Sequence, residues 1–242
     1  MSAAVAAEKA PLSKTDKAEI FNDLINALHD DRLSEAKKLT VDHPWIFTHV
    51  DESGRMAVHW AASTGRLAFL EYLASQNPAI LNHADDSGWP LLMIAASAGR
   101  LDIVRFMLSK ITCDVNHANK GGQTSLHYAA SKNFADIVKL LLENGAEANV
   151  QDKFKGTPLH RAASKGQQAS VAELLKVKNI RVDMSDYEGN TALHLACEAN
   201  NDSIAIMLAK AGANVKYENR EKKTPIDYCT TAELKRKLEQ YV

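Results

Sequence analysis

The strongest constraint on this chain is a period. A histidine preceded by leucine or valine recurs at His59, His127, His160 and His194, at separations of 68, 33 and 34 residues. Met93 fills the slot between the first two, and Asp227 fills the next, 33 residues after His194. Other positions keep step. Asp51, Asp85, Asn119, Asp152, Asp186 and Asn219 open successive units, and Gly54, Gly88, Gly122 and Gly189 follow three residues later. Pairs of small residues come just after the histidine slot: Ala61-Ala62, Ala95-Ala96, Ala129-Ala130, Ala162-Ala163 and Ala196-Cys197. A fixed period of this length signals a stack of identical small units, each too small to bury its own apolar face.

Each slot has a physical role. The opening Asp or Asn can bond its own downstream backbone and set a turn. The following glycine tolerates positive φ. Thr124, Thr157, Thr191 and Thr224 suit a helix N-cap, and Pro158 and Pro225 suit the first turn. The small pair lets two helices approach closely. Gly65, Gly99, Asn133, Gly166 and Asn200 then end the first helix in a left-handed turn. A second helix follows, with Ile137, Val138, Leu141 and Leu142 at helical spacing. Gly145 and Gly212 stop two of these second helices.

Thr157-Pro158-Leu159-His160-Arg161-Ala162 resembles the core of the ankyrin repeat, whose period is about 33 residues. The predicted class is all-α: an ankyrin-repeat solenoid of seven helix-turn-helix repeats with β-hairpin tips and degenerate capping repeats at both ends. A mobile N-terminal tail is expected over 1–14 and one ankyrin-repeat domain over 15–242. The repeats fall at about 15–48, 49–82, 83–116, 117–149, 150–183, 184–216 and 217–242. Terminal repeats must be atypical, because one face has no neighbour to cover it. Repeat 3 carries Pro90-Leu91-Leu92-Met93 where the core motif belongs. Repeats 5 and 7 carry Lys155 and Lys222 at the glycine slot. Local changes of turn are expected there.

The composition narrows the function. A formal net charge of −1 over 242 residues argues against nucleic acid as the main partner. Cys113, Cys197 and Cys229 lie far apart, which fits a reducing compartment without a disulfide framework. No apolar run approaches the roughly 20 residues that span a bilayer. The N-terminus lacks the basic start and apolar core of a secretory signal. The expected location is cytoplasm and nucleus, as a monomer when free. The recurring histidines follow the register and form no ligand cluster. No zinc-protease, phosphate-loop or nucleophile-elbow motif is present. The sequence therefore predicts a binding protein with no catalytic residues, metal or cofactor.

A solenoid of this kind binds through a concave surface built from repeat tips and first helices. The register aims Glu52 and Arg55 of repeat 2 and Asp86 and Trp89 of repeat 3 at that surface. Lys120 and Lys132 of repeat 4 face the same way, as do Lys153, Phe154 and Lys165 of repeat 5. Repeat 6 contributes Tyr187, Glu188 and Glu198. The central repeats thus present four lysines among Arg and aromatic residues, the types enriched at binding hot spots. The complementary partner is a protein with an acidic, partly helical surface.

Several stretches resemble the gankyrin family more closely than generic ankyrin repeats. They include His59-Trp60-Ala61, Ser87-Gly88-Trp89 and Leu126-His127-Tyr128-Ala129-Ala130-Ser131-Lys132-Asn133. Glu188-Gly189-Asn190-Thr191 with Leu193-His194-Leu195-Ala196-Cys197, and Glu218-Asn219 with Lys223-Thr224-Pro225, extend the likeness towards the C-terminus. The resemblance implies an assembly chaperone of the proteasome regulatory particle. Such a protein clasps the C-terminal domain of one base ATPase subunit, with Arg55 and Lys132 matching two basic contacts of the family. A different implied class is an ankyrin adaptor or inhibitor in cell-cycle signalling, acting on a kinase or tumour suppressor. The family's Leu-x-Cys-x-Glu motif for a retinoblastoma-type pocket falls here on Leu195-Ala196-Cys197-Glu198-Ala199, with Ala199 at the acidic position.

Overall fold

The computed structural model describes residues 12–110 and 113–241. Residues 1–11, most of the expected tail, lie outside the described residues. The chain winds as helix pairs. The first repeat comprises α1 (Lys14–His29), α2 (Leu33–Asp42) and a 3-10 turn at Pro44–Phe47. Repeat 2 comprises α3 (Ala57–Thr64), α4 (Leu67–Gln76) and a 3-10 turn at Pro78–Asn82. Then come α5 (Leu91–Ser97) with α6 (Leu101–Leu108), and α7 (Ser125–Ser131) with α8 (Ala135–Glu143). Next are α9 (Pro158–Ser164) with α10 (Gln168–Leu175), and α11 (Ala192–Glu198) with α12 (Asp202–Lys210). Repeat 7 departs from the helix-turn-helix expectation. Its first element is only a 3-10 turn, Pro225–Tyr228, before α13 (Ala232–Leu238) and a last 3-10 turn at Glu239–Tyr241. Thr224 N–H donates to the Asp227 carboxylate at 2.8 Å, and extended backbone at Cys229 ends the turn.

The inner helices α1, α3, α5, α7, α9 and α11 pack side by side in chain order. The small pairs make this possible: Ala61, Ala62, Ala95, Ala96, Ala129, Ala130, Ala162, Ala163, Ala196 and Cys197 are all fully buried. Outer helices cover them with Phe69, Leu70 and Leu73, then Ile103 and Val104, then Val138 and Leu141. The ends are closed differently. At the start, Ser13 and Asp16 form a reciprocal cap at 2.9 and 3.1 Å, so α1 begins inside the expected tail boundary. At the far end, Leu234 and Leu238 of α13 are buried.

The tips are tighter than β-hairpins. Among the described residues there is no strand, only isolated bridges at Ala84–Pro90 and Ser185–Thr191. The reason is local. In repeat 2, Asp51 N–H donates to the Arg55 carbonyl at 2.9 Å, while Arg55 N–H donates to the Asp51 carboxylate at 3.0 Å instead of to backbone. The same exchange recurs at Asp85, Asn119, Asp152, Asp186 and Asn219, so a side-chain oxygen replaces half of each hairpin ladder. Lys155 and Lys222 leave this turn unchanged. They adopt φ of 59° and 62°, and their N–H groups bond the Asp152 and Asn219 carbonyls at 2.8 and 3.0 Å. The expected turn change at the glycine slot does not occur.

Two sets of bonds join neighbouring repeats. One runs tip to tip through the backbone: Asp86 to Ser53, Lys120 to Ser87 and Lys153 to Gly121, each at 3.0 Å. Tyr187 to Phe154 at 2.9 Å and Arg220 to Glu188 at 3.1 Å continue it. A side chain on the tip glycine would obstruct this approach; a Cβ on Gly189, at φ 83°, would lie 2.9 Å from the Arg220 nitrogen.

The histidines supply the second set. Nδ1 of His127 accepts from Thr124 N–H at 3.1 Å, capping α7, while Nε2 reaches the Gly156 carbonyl of the next repeat at 3.1 Å. His59, His160 and His194 do the same with the His83, Asn190 and Lys223 carbonyls. Met93 cannot, and there His117 of repeat 4 reaches back to the Gly88 carbonyl at 3.2 Å.

An imidazole that accepts at Nδ1 and donates at Nε2 must be neutral. Burial lowers the affinity of all four for a proton, bringing His59 and His127 down to about 4 from an ordinary 6.5. Between these values the unfolded chain takes up protons that the folded chain refuses, so stability must fall as pH drops through 6.5 towards about 4. At about pH 5 the loss is roughly 2 kcal/mol from each of His59 and His127. Urea melts at about pH 7.5 and about pH 5 should show a clearly lower midpoint in acid. An unchanged midpoint would show that these rings are not held neutral.

Candidate functional site

The surface built by tips and inner helices rests on a third link, which the sequence reading missed. The residue after the histidine slot bonds the Asx residue nine positions earlier in its own repeat. Trp60 Nε1–H donates to the Asp51 carboxylate at 2.9 Å. Asn119 Nδ2–H donates to Tyr128 Oη at 3.2 Å, and Asn219 Nδ2–H to Tyr228 Oη at 3.0 Å. In repeat 5, Arg161 pairs with Asp152. The signal was present in the sequence: a long polar-tipped residue recurs at this slot except where Ile94 and Leu195 stand.

These links divide the charges into two classes. Asp85 and Asp152 are buried and each is matched by an arginine. Arg55 is therefore not the free cation that the register implied. Its Nε donates to the Asp85 carboxylate of the next repeat at 3.0 Å, and its guanidinium lies 5.8 Å from the centre of the Trp60 ring. Only part of its planar fork is left for another molecule. Lys120, Lys132, Lys153 and Lys165 form the second class. All are exposed, and none is in an ion pair among the described residues. Lys132 and Lys165 end the adjacent helices α7 and α9, and Lys120 and Lys153 stand on the adjacent tips. The structure thus places the lysines of repeats 4 and 5 as two pairs, Lys132 and Lys165 at neighbouring helix ends and Lys120 and Lys153 on neighbouring tips.

The remaining candidates separate by exposure. Glu52 and Asp86 are exposed on the tips of repeats 2 and 3. Glu188 and Glu198 are exposed in repeat 6, with Glu188 accepting from the Asn190 side-chain amide at 3.2 Å. Trp89 is half-buried, its ring 4.3 Å from that of Tyr128, so it stiffens the junction between repeats 3 and 4 as well as presenting an edge. Phe154 and Tyr187 are the reverse, 69% and 60% exposed. Beside the tip of repeat 2 lies a cleft of about 680 Å³ lined by Phe21, Ile25, His49, Val50, Glu52 and Trp60.

Cys197 is fully buried on α11, and burial pushes its thiol far above the usual range. Leu195 beside it is half-buried. Among the described residues no cluster of His, Cys, Asp and Glu is arranged to hold a metal, and no helix is long and apolar enough to cross a membrane.

Comparison with known proteins agrees with this architecture. A probable 26S proteasome regulatory subunit, p28, of Saccharomyces cerevisiae is 37% identical over 73 residues, covering 30% of this chain and 32% of that protein. A transient receptor potential cation channel subfamily A member 1 homolog of Caenorhabditis elegans is 36% identical over 84 residues, 35% of this chain and 7% of the channel. Palmitoyltransferase ZDHHC17 of Danio rerio is 39% identical over 72 residues, 29% of this chain and 12% of that protein. The chain spans at most about a third of the length of any of these relatives. The family described as "Ankyrin repeats (3 copies)" matches over residues 16–119, 79–152 and 126–219. Repeat units matched in sequence across most of the chain, and folded as helix pairs joined through capping imidazoles, make this protein a member of the ankyrin-repeat family.

Proposed function

We propose that this protein is an assembly chaperone of the proteasome regulatory particle, binding the C-terminal domain of one base ATPase subunit through its concave face. The observation that carries the reading is the stretch shared with the yeast proteasome regulatory subunit p28, taken with the gankyrin-like motifs of repeats 2, 3, 4, 6 and 7. Lys132 and Lys165, exposed and in no ion pair among the described residues, suit an acidic helical surface, and ankyrin repeats are in general protein-interaction scaffolds rather than enzymes. The protein would act without cofactor, as a monomer when free, in cytoplasm and nucleus. A cell-cycle adaptor working through Leu195-Ala196-Cys197-Glu198-Ala199 has less support. Its cysteine is buried and its final position is alanine.

The reading is tested by titrating the purified protein against the isolated C-terminal domain of each proteasomal ATPase in turn. One domain should bind. Lys132→Glu combined with Lys165→Glu should weaken that complex by about tenfold or more at low salt and by less at high salt. Failure of every ATPase domain to bind overturns the proposal.

Arg55 needs a different variant because it also serves the fold. Arg55→Glu would place a second carboxylate against buried Asp85 and cost about 3 kcal/mol or more. Lys132→Glu should leave stability within about 0.5 kcal/mol. Urea unfolding of the two single variants separates these roles. Equal stability would mean that Arg55 is not needed to neutralise Asp85.

A further inference from the structure

The three cysteines lie far apart in the sequence, but folding brings two of them together. Cys197 is on α11 and fully buried. Cys229 ends the 3-10 turn Pro225–Tyr228, which packs on α11. A short chain of bonds fixes the approach. Asn200 N–H donates to the Cys197 carbonyl at 3.0 Å, and the Asn200 side-chain oxygen accepts from the hydroxyl of Thr230, the residue after Cys229. The two sulfurs are themselves in contact: the Cys197 S–H donates to Cys229, and the Cys229 S–H donates to the Pro225 carbonyl at 3.7 Å. Cys229 is only half-buried, so a small reagent reaches it first, and reaches Cys197 through it. Cys113, in the loop after α6, belongs to a distant junction.

We propose that Cys197 and Cys229 form a dithiol site that small disulfides of the glutathione class convert reversibly to an intramolecular disulfide, latching repeat 7 to repeat 6. Burial raises the proton affinity of both thiols, and donation from Cys197 partly offsets this at Cys229, so Cys229 is the attacking group. It gives its proton to solvent, and its sulfur attacks one sulfur of the small disulfide. That S–S bond breaks, and the other half leaves with the electron pair and takes up a proton, leaving a mixed disulfide on Cys229. Cys197 then loses its proton and attacks the Cys229 sulfur, expelling the second small thiol. Two protein thiols are oxidised and one small disulfide is reduced to two thiols. The latch acts at the end of the stack. Repeat 7 holds repeat 6 by Arg220 N–H to the Glu188 carbonyl, by His194 to the Lys223 carbonyl, and by the Asn219 amide to the Asn190 side-chain oxygen. A covalent bond there closes a loop of about 30 residues and restricts the opened state of that end. Because Cys197 is in the core, the cross-link leaves the exposed lysines of repeats 4 and 5 untouched and does not depend on which partner occupies the groove.

The experiment equilibrates the full-length protein with mixtures of reduced and oxidised glutathione and maps cross-links by mass spectrometry of tryptic peptides. The native protein should join Cys197 to Cys229 at a ratio of oxidised to reduced glutathione about tenfold or more below that needed in urea, because folding holds the two sulfurs together. Two of its three thiols should disappear, and Cys113→Ser should leave the cross-link unchanged. Circular dichroism should be the same before and after oxidation. Hydrogen exchange at the amides of α13 should slow by about tenfold or more in the cross-linked protein and recover on reduction. Three results overturn the proposal: glutathione adducts at Cys229 with no Cys197–Cys229 peptide, a cross-link that forms no more readily in the native protein than in urea, or helix loss on oxidation. Unchanged exchange at α13 in a fully cross-linked sample also overturns it, because the bond would then latch nothing.

Discussion

The rest of the structure depends on a single kind of hydrogen bond, from the N–H that follows each Asx residue from Asp85 onward to a carbonyl of the preceding tip. Helices of seven to nine residues, like α5 to α12, are too short to be stable alone. They persist because each repeat from the third onward is fixed against the last at one tip bond and one imidazole bond, after which the paired small residues close the gap between inner helices. The Asx oxygen makes the tip bond possible. By taking N–H groups within its own turn, as Asp51 takes those of Ser53 and Arg55, it holds the tip narrow and leaves the next carbonyl facing its neighbour. Stability is then close to a sum of nearest-neighbour terms, and the binding surface inherits its spacing from them.

The histidines explain why the same framework is sensitive to acid. A neutral ring offers one acceptor and one donor, so His160 joins the start of α9 to the Asn190 carbonyl with nothing left over. A protonated ring would present two donors, one of them facing the Thr157 N–H. Where the slot holds Met93, the link is replaced from the other side by His117, and in repeat 7 Asp227 caps the turn from Thr224 N–H. The slot is therefore chosen for its hydrogen-bond roles and not for metal or acid–base chemistry.

Most of the fold could be read from the sequence, because every repeat writes the same residue at the same slot for the same physical reason. The period located the helices, the small pairs located the inner interface, and the exposure of the four central lysines followed from register. What escaped was the part set by contacts between slots. Register alone aimed Arg55 at solvent, since nothing in the sequence ties it to Asp85 thirty residues on. Lys155 looked like a break in the turn, but the Asp152 oxygen fixes that turn whatever residue fills the left-handed position. Repeat 7 keeps Thr224-Pro225 and still forms only a 3-10 turn, because its length is decided by the chain leaving at Cys229.

Charge on the tips and inner helices divides into matched and unmatched groups. Arg55 and Arg161 neutralise carboxylates that the turns require to be buried, so their charge is already satisfied when the protein is free. The four lysines make no ion pair among the described residues. Standing on repeats about 10 Å apart, two of them repel by only about 0.4 kcal/mol in water, and salt screens much of that. The free protein therefore tolerates the cluster. A neutral or basic partner that covered it would strip the ammonium groups of water without replacing their hydration, at several kcal/mol per buried charge. A partner that brings carboxylates at the same spacing avoids that penalty. On the proposed function the lysines would act mainly against wrong partners, at almost no cost to the unbound fold, because tip bonds, imidazoles and small pairs already hold the repeats in place.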